Sequence, residues 1–80
     1  MDRDVFEKNI RAFANRAPFE PYLIELTSGA QLRIDHPEAL VSRGRAGLHI
    51  SPAGDFTLFG HDGVARIADI PAVASAAKGR

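Results

Sequence analysis

The order of apolar and polar positions predicts that the chain begins with a helix that buries one face. Apolar side chains recur near the start at spacings of three and four residues, namely at Phe6, Ile10, Phe13 and Ala17. Asp4 and Glu7 have the spacing of a capping box, in which a side-chain acceptor precedes an acid by three residues. Pro18 prevents the helix from continuing, because proline removes a backbone hydrogen bond. We therefore expect a helix over about residues 4–16, with its apolar stripe lying on the rest of the protein.

Alternating apolar and polar residues then predict short strands. The runs YLIELT and QLRID flank Ser28-Gly29, and this predicts a hairpin because glycine tolerates a positive φ. Pro37 ends the second run, since proline cannot donate a hydrogen bond to a sheet. Leu40 and Val41 are only briefly apolar before the basic, glycine-rich turn SRGRAG, so they add no strand to the count. The turn signals SPAGD and GHDG separate three further strands, over residues 48–51, 56–59 and 64–70.

One helix and five short strands predict a mainly β fold, a small and strongly bent barrel with one N-terminal α-helix. Eighty residues make one domain, and the absence of cysteine leaves no disulfide or thiolate metal site to staple it. Strands this short cannot form a wide sandwich, whereas a barrel removes most exposed strand edges. SH3-like and Sm-like barrels both fit, and the helix directly before the first strand favours the Sm-like variant. The expected domain spans residues 1–70, followed by a flexible alanine-rich tail over residues 71–80.

Charge and hydropathy limit the kinds of partner. Ten basic and ten acidic residues cancel, whereas nucleic-acid-binding domains usually carry a net positive charge. Strong non-specific binding of nucleic acid is therefore disfavoured, while a local basic patch remains open. No apolar run approaches the roughly 20 residues of a membrane span. The first residues, MDRDVFEKN, are charged where a signal peptide would be apolar, so we expect a cytoplasmic protein without a membrane partner.

Three segments resemble the Sm-like family, in particular the bacterial Hfq-like RNA chaperones. YLIELTSGAQLRI is similar to the first half of the first Sm motif, in which alternating apolar residues flank a polar-glycine turn. DVFEKNIRAFANRAPFEP resembles the N-terminal helix and the proline-containing linker of the Hfq-like proteins. FGHDGVARI has the outline of the second Sm motif and supplies its last apolar pair, Val64 and Ile67. The resemblance implies an Sm-like barrel that assembles into a ring and binds single-stranded RNA.

The resemblance departs from the Hfq-like pattern in three respects, one of which is that the aromatic residue that stacks on uridine has no clear counterpart. HPEALVSRGRAG stands where that family has an aspartate-centred middle of the first motif. Of the lysine-histidine pair in the second motif only the histidine, His61, has a counterpart. The chain also resembles short uncharacterised bacterial proteins with an RPFxPF-strand-DG-strand-HPE layout, through APFEPYLIEL, SG and HPE. That second resemblance covers about half of the chain and implies no particular activity.

Five residues are candidates for contact with nucleic acid. The resemblance implies that His61 lines a pore and contacts RNA; alternatively it is a turn histidine ahead of an Asp-Gly pair. Arg43 and Arg45 lie on a glycine-rich loop, where positive charge and close backbone approach suit phosphate groups. Arg11 and Arg16 resemble the basic rim of the Hfq-like family. For the arginines the alternative is a solvated surface, with ion pairing along the helix.

The remaining polar residues predict no metal centre, no cofactor site and no active site. His36 is expected to bond to the backbone of its turn. His49 is expected to face solvent, because it alternates with Leu48 and Ile50. The spacing of the three histidines matches no metal-ligand motif. With no cysteine nucleophile, no G-x-S-x-G motif and no phosphate loop, the chain is not expected to be an enzyme.

The sequence thus predicts a small non-enzymatic binding module, and two hypotheses describe its partner. One is Sm-like binding of single-stranded RNA; the other is binding of a protein, or self-assembly, without any role for nucleic acid. The zero net charge favours the second. Residues 56–59 carry no charge, so the edge of that strand can pair with the last strand of a second copy. A homo-oligomer is therefore expected, as a head-to-tail ring in preference to a dimer.

Overall fold

The fold is mainly β with one N-terminal helix, as predicted. A computed structural model describes residues 1–70, and the predicted tail lies outside these residues. The helix, α1, spans Arg3–Ala14. Six strands follow: β1 (Tyr22–Leu26), β2 (Gln31–Ile34), β3 (Leu40–Arg43), β4 (Ala46–Ile50), β5 (Phe56–Gly60) and β6 (Val64–Asp69). They form two antiparallel sheets, with strand orders β2-β1-β6 and β3-β4-β5.

The count of five strands was wrong, because β3 was missed. Only its first two residues are apolar, too short a run to show strand periodicity. Pairing with β4 nevertheless extends it from Leu40, opposite His49, to Arg43, opposite Ala46. Gly44 closes this hairpin with a φ of 59°, a conformation that glycine adopts without strain. Backbone pairing within residues 1–70 leaves the two sheets separate and does not close them into one barrel.

The helix begins two residues earlier than the capping-box spacing indicated. Asp2, and not Asp4, is the N-cap: its Oδ2 accepts hydrogen bonds from the backbone N–H groups of Asp4 at 3.0 Å and Val5 at 3.3 Å. Either aspartate can cap, so the sequence pattern alone did not separate them. The helix ends at Ala14, well before Pro18. No helix within residues 1–70 is long and apolar enough to cross a membrane.

The helix lies across both sheets and closes the core. The ring of Phe6 is fully buried and meets the ring of Phe59, in β5, edge to face at 6.3 Å. Two turns later the half-buried Phe13 packs on Tyr22, in β1, at 5.2 Å. Burial raises the pKa of Tyr22 to about 12, against a smaller opposing effect of Arg16, so its hydroxyl stays neutral. The other buried apolar side chains are Ile10, Ile24, Leu32, Ile34, Leu40 and Val64.

A buried histidine joins the two sheets. The side chain of His49, in β4, is only 8% exposed, and its Nε2 lies 3.1 Å from the carbonyl oxygen of Arg33, in β2. Since a carbonyl only accepts, Nε2 carries the proton that is donated. The prediction that His49 faces solvent was therefore wrong. Alternation was recognised correctly, but it does not say which set of side chains faces the core.

Candidate functional site

The orientation of β4 turns an apolar surface outward. Because Gly47 and His49 face the core, Leu48 and Ile50 lie on the opposite side of the strand. The same alternation in the neighbouring strands gives the outer face of β3-β4-β5 further apolar side chains. We call this surface the outer sheet face, and its principal residues are Val41, Leu48, Ile50, Phe56 and Leu58.

Three of the five principal residues of the outer sheet face are strongly exposed, and the other two, Leu48 and Ile50, are half-buried. Phe56 is 70% exposed, Leu58 77% and Val41 55%. Val41, Leu48 and Leu58 stand opposite one another across the three strands and form one continuous row. Single exposed apolar residues are ordinary on protein surfaces, but a contiguous group on one sheet face is typical of an interaction site.

Close packing on the inner side fixes this orientation. Gly47 stands opposite Phe59, whose ring lies directly against the glycine backbone. A Cβ at Gly47 would come within 2.6 Å of Phe59 Cζ, far inside van der Waals contact. The position therefore requires glycine, and a shift of β4 by one residue would bring Leu48 against that ring. Leu48 is thereby held on the outside.

The outer sheet face is graded in size from one end to the other. The row at the β3–β4 turn consists of Arg43, Ala46 and Gly60 and presents little apolar bulk. The row at the β4–β5 turn contains the large pair Ile50 and Phe56. Between them lies the middle row of Val41, Leu48 and Leu58, beside a shallow cavity of about 180 Å³.

Charges are also divided between the two ends of this surface. Arg43 and Arg45 lie at the β3–β4 end, where the carboxylate of Asp62, beside Gly60, offsets one of the two positive charges. Glu38 lines a cavity with Ile50 at the opposite end, and Asp55 lies there in the β4–β5 turn, bonded to Ser51. The four side chains Arg43, Arg45, Glu38 and Asp55 are exposed, and none of them forms an ion pair with another residue in the range 1–70.

The structure divides the five candidate RNA-binding residues into two groups. Arg16 is engaged internally: it pairs with Asp69 and Glu20, and its guanidinium lies 4.8 Å from the centre of the Phe13 ring. His61 is also engaged. Its ring Nδ1 lies 2.8 Å from the carbonyl oxygen of Met1, and its backbone N–H donates to the carbonyl oxygen of Arg45.

The other three candidates, Arg11, Arg43 and Arg45, are exposed. Arg11 lines a groove of about 350 Å³ between α1 and the end of β3, together with Asn15, Ser42 and Gly44. Arg43 and Arg45 flank Gly44 in sequence. Sequence reasoning named all three residues, but it had no means of placing the helix beside the turn, because that contact is made over about 30 residues of chain.

The described histidines and acids provide no metal centre. Within residues 1–70 no three histidine, aspartate or glutamate side chains gather where they could hold a metal ion. His36 is exposed and precedes the 3₁₀ turn Pro37–Ala39, and its carbonyl accepts a hydrogen bond from Ala39 N–H at 3.0 Å. His36 therefore contributes to its turn through its backbone only, and the expected hydrogen bond from its side chain to the turn is not formed.

Comparison of the chain with protein-family models, with curated proteins and with solved structures finds no match. The geometry of the chain itself therefore carries the functional argument.

Proposed function

We propose that the chain is a small, non-enzymatic binding module that engages another protein through its outer sheet face. The observation that carries the proposal is the row of Val41, Leu48 and Leu58, extended by the 70%-exposed Phe56. Exposing these side chains costs free energy that burial in an interface recovers, at roughly 25 cal/mol for each Å² of apolar surface. A β-sheet holds these side chains on a rigid backbone, which suits a folded partner.

Within this proposal the two sheets are the halves of an Sm-like or SH3-like barrel. Support comes from the way the chain passes from the first sheet to the second at Pro37–Ala39 and back at His61–Gly63. The hydrogen bond from His49 to Arg33 ties the halves together between these crossings. The α1 helix covers one opening between them through Phe6 and Phe13.

RNA binding is the second candidate function, supported by the exposed Arg11, Arg43 and Arg45. Phosphate contacts need cations that are free to move onto the ligand, and these three arginines form no ion pair within residues 1–70. The internal bonds of Arg16 and His61 reduce the basic surface that Hfq-like binding would use. Apolar bulk on the outer sheet face is also of no use to a phosphate backbone, so we favour a protein partner.

Site-directed photo-crosslinking in the native cell tests the choice between partners. With p-benzoylphenylalanine in place of Phe56, a side chain of similar shape at a 70%-exposed position, we expect covalent adducts with protein. The same amino acid in place of Ala12, exposed on α1 and distant in sequence from the outer sheet face, is the matched control and should give none.

Three outcomes separate the hypotheses. Protein adducts from position 56 alone support the proposal. Adducts whose size is reduced by ribonuclease would instead show that the partner is RNA. Equal yields from positions 56 and 12, or no adduct from either, would contradict a binding role for the outer sheet face.

A further inference from the structure

We infer that the outer sheet face is occupied by a second copy of this chain, in a two-fold dimer whose facing strands run antiparallel. The inference rests on the proposed function and names the partner. It differs from the ring expected from the sequence, which pairs strand edges. Three properties of the described residues lead to it: the position of the apolar surface, its gradation in size and the division of its charges.

The apolar surface lies on a sheet face, and edge pairing does not cover a face. Pairing β5 with a strand of another copy would satisfy its free backbone groups. It would leave Phe56 and Leu58 in water and extend the apolar surface into the neighbour. Packing one outer sheet face on another, at the roughly 10 Å separation of stacked sheets, removes these side chains from water.

Gradation in size makes the surface complementary to itself in one orientation only. In one face-to-face arrangement the two-fold axis runs perpendicular to the strands and passes over the middle row. Leu58 then lies near Leu58 of the second copy. This arrangement also lays Ile50 over the small Ala46 of the second copy, and Phe56 over its Gly60, beside the Asp62 carboxylate. The other face-to-face two-fold, parallel to the strands, would set Ile50 against Ile50 and leave a gap at the small rows.

Charge selects the same orientation. With strands antiparallel, Arg43 at one end of β3 lies over the opposite end of the partner's β3, which Glu38 precedes. The two-fold symmetry forms this contact twice. The parallel arrangement would instead bring Arg43 of both copies to one end and Glu38 of both copies to the other. Neither Arg43 nor Glu38 has an ion pair within residues 1–70 to compete.

The size of the surface sets the expected strength. Three strands of four or five residues cover about 14 Å by 17 Å, an area of roughly 240 Å² that is well below the ~800 Å² per partner of a standard interface. We therefore expect a dissociation constant in the micromolar range and association that depends on concentration.

Sedimentation velocity of the full chain from about 1 to 500 µM tests the dimer, since this range brackets micromolar dissociation constants. We expect a shift from 8.6 kDa to twice that mass with rising concentration. Leu58→Lys should weaken association by at least ~100-fold, because two like charges would be buried near the axis. Ala12→Lys adds the same charge on the helix and should leave association unchanged. Circular dichroism verifies that both variants are folded.

A charge exchange tests the orientation. Arg43→Glu and Glu38→Arg should each weaken the dimer about tenfold, because each converts two attractive contacts into repulsive ones. The double variant restores both contacts with reversed sign and should dimerise like the wild type. Additive weakening in the double variant would overturn the antiparallel arrangement.

The remaining outcomes overturn the dimer. A chain that stays at 8.6 kDa throughout does so, as does a dimer that Leu58→Lys leaves intact. A larger closed assembly that is insensitive to this substitution would point to the edge-paired ring. If the chain is monomeric while position 56 crosslinks to a different protein, the inference fails and the proposed function stands. If it is monomeric and no crosslink forms, both fail.

Discussion

Replacing Phe6 by alanine is expected to lower the free energy of unfolding by about 3–5 kcal/mol. The side chain has no solvent exposure, and its ring packs edge to face on Phe59 at 6.3 Å. This contact therefore helps to fix α1 to the second sheet. A domain of this length has a total stability of roughly 4–12 kcal/mol, so the variant should be partly unfolded at room temperature or melt far below the wild type. Urea denaturation followed by circular dichroism measures the loss.

Two other positions on the same helix, Phe13 and Val5, serve as controls for Phe6. Phe13→Ala removes an equally large ring that is only half-buried against Tyr22, so its cost should be clearly smaller. Val5 is 45% exposed, and Val5→Ala should change stability by less than about 1 kcal/mol. A Phe6→Ala variant as stable as Val5→Ala would show that the helix is not docked on the sheets.

Replacing Gly47 by alanine is expected to cost about 2–3 kcal/mol, although it adds a single methyl group. The new Cβ would stand 2.6 Å from Cζ of Phe59 and 3.0 Å from its Cε2. The ring cannot move away easily, because Phe6 packs on it. The clash must therefore be relieved by displacement of β4 or β5. Thermal unfolding of the variant measures the cost, at roughly 4–8 °C for each kcal/mol in a domain this small.

A matched glycine and a double variant identify the cause of that cost. Gly63→Ala is the control, since a Cβ there meets no atom within 4 Å. Phe59→Leu removes the ring, so Gly47→Ala should cost less in the Phe59→Leu background than in the wild type. Equal costs in the two backgrounds would mean that the glycine is needed for another reason and that the ring does not fix the orientation of β4.

Local patterns predicted the elements that local forces determine. The spacing from Phe6 to Phe13 predicted the helix, and alternation around Ser28-Gly29 predicted the first hairpin, in which Tyr22 pairs with Ile34. The N-cap and the strand β3 were missed, because two aspartates could cap equally well and because two apolar residues are too few to show a period. These are differences of one or two residues or of one short strand.

The orientation of β4 could not be predicted, and the candidate site depends on it. Leu48 and Ile50 are more apolar than Gly47 and His49, so a hydropathy pattern places the leucine inside. The actual choice is set by the ring of Phe59, which needs a glycine opposite, and by the carbonyl of Arg33, which accepts from His49. Both partners are distant in sequence. The sequence does contain one signal of this orientation. In β4 a glycine and a histidine alternate with two large apolar residues, and a glycine that must accommodate an aromatic ring places the apolar residues on the outer face.

The sequence proposed the basic residues as one set, but it did not show which of their side chains are free to contact a partner. Arg16 and Arg43 both lie next to a segment that the sequence predicts to be a turn or loop. Arg16 nevertheless pairs with Asp69, more than 50 residues away, whereas Arg43 pairs with no residue in the range 1–70. Ion pairs of this range depend on tertiary structure, and no local pattern announces them.

Thiol labelling at position 58 tests most directly the claim that the outer sheet face is an exposed apolar surface that a second copy covers. The chain has no cysteine, so Leu58→Cys introduces a unique thiol of modest size and apolar character. In dilute solution we expect its rate of reaction with a maleimide to match that of Ala12→Cys, and at high protein concentration we expect only the rate at position 58 to fall. A thiol at position 58 that reacts slowly at every concentration would contradict the outward orientation, and one that reacts rapidly at every concentration would contradict its burial by a second copy.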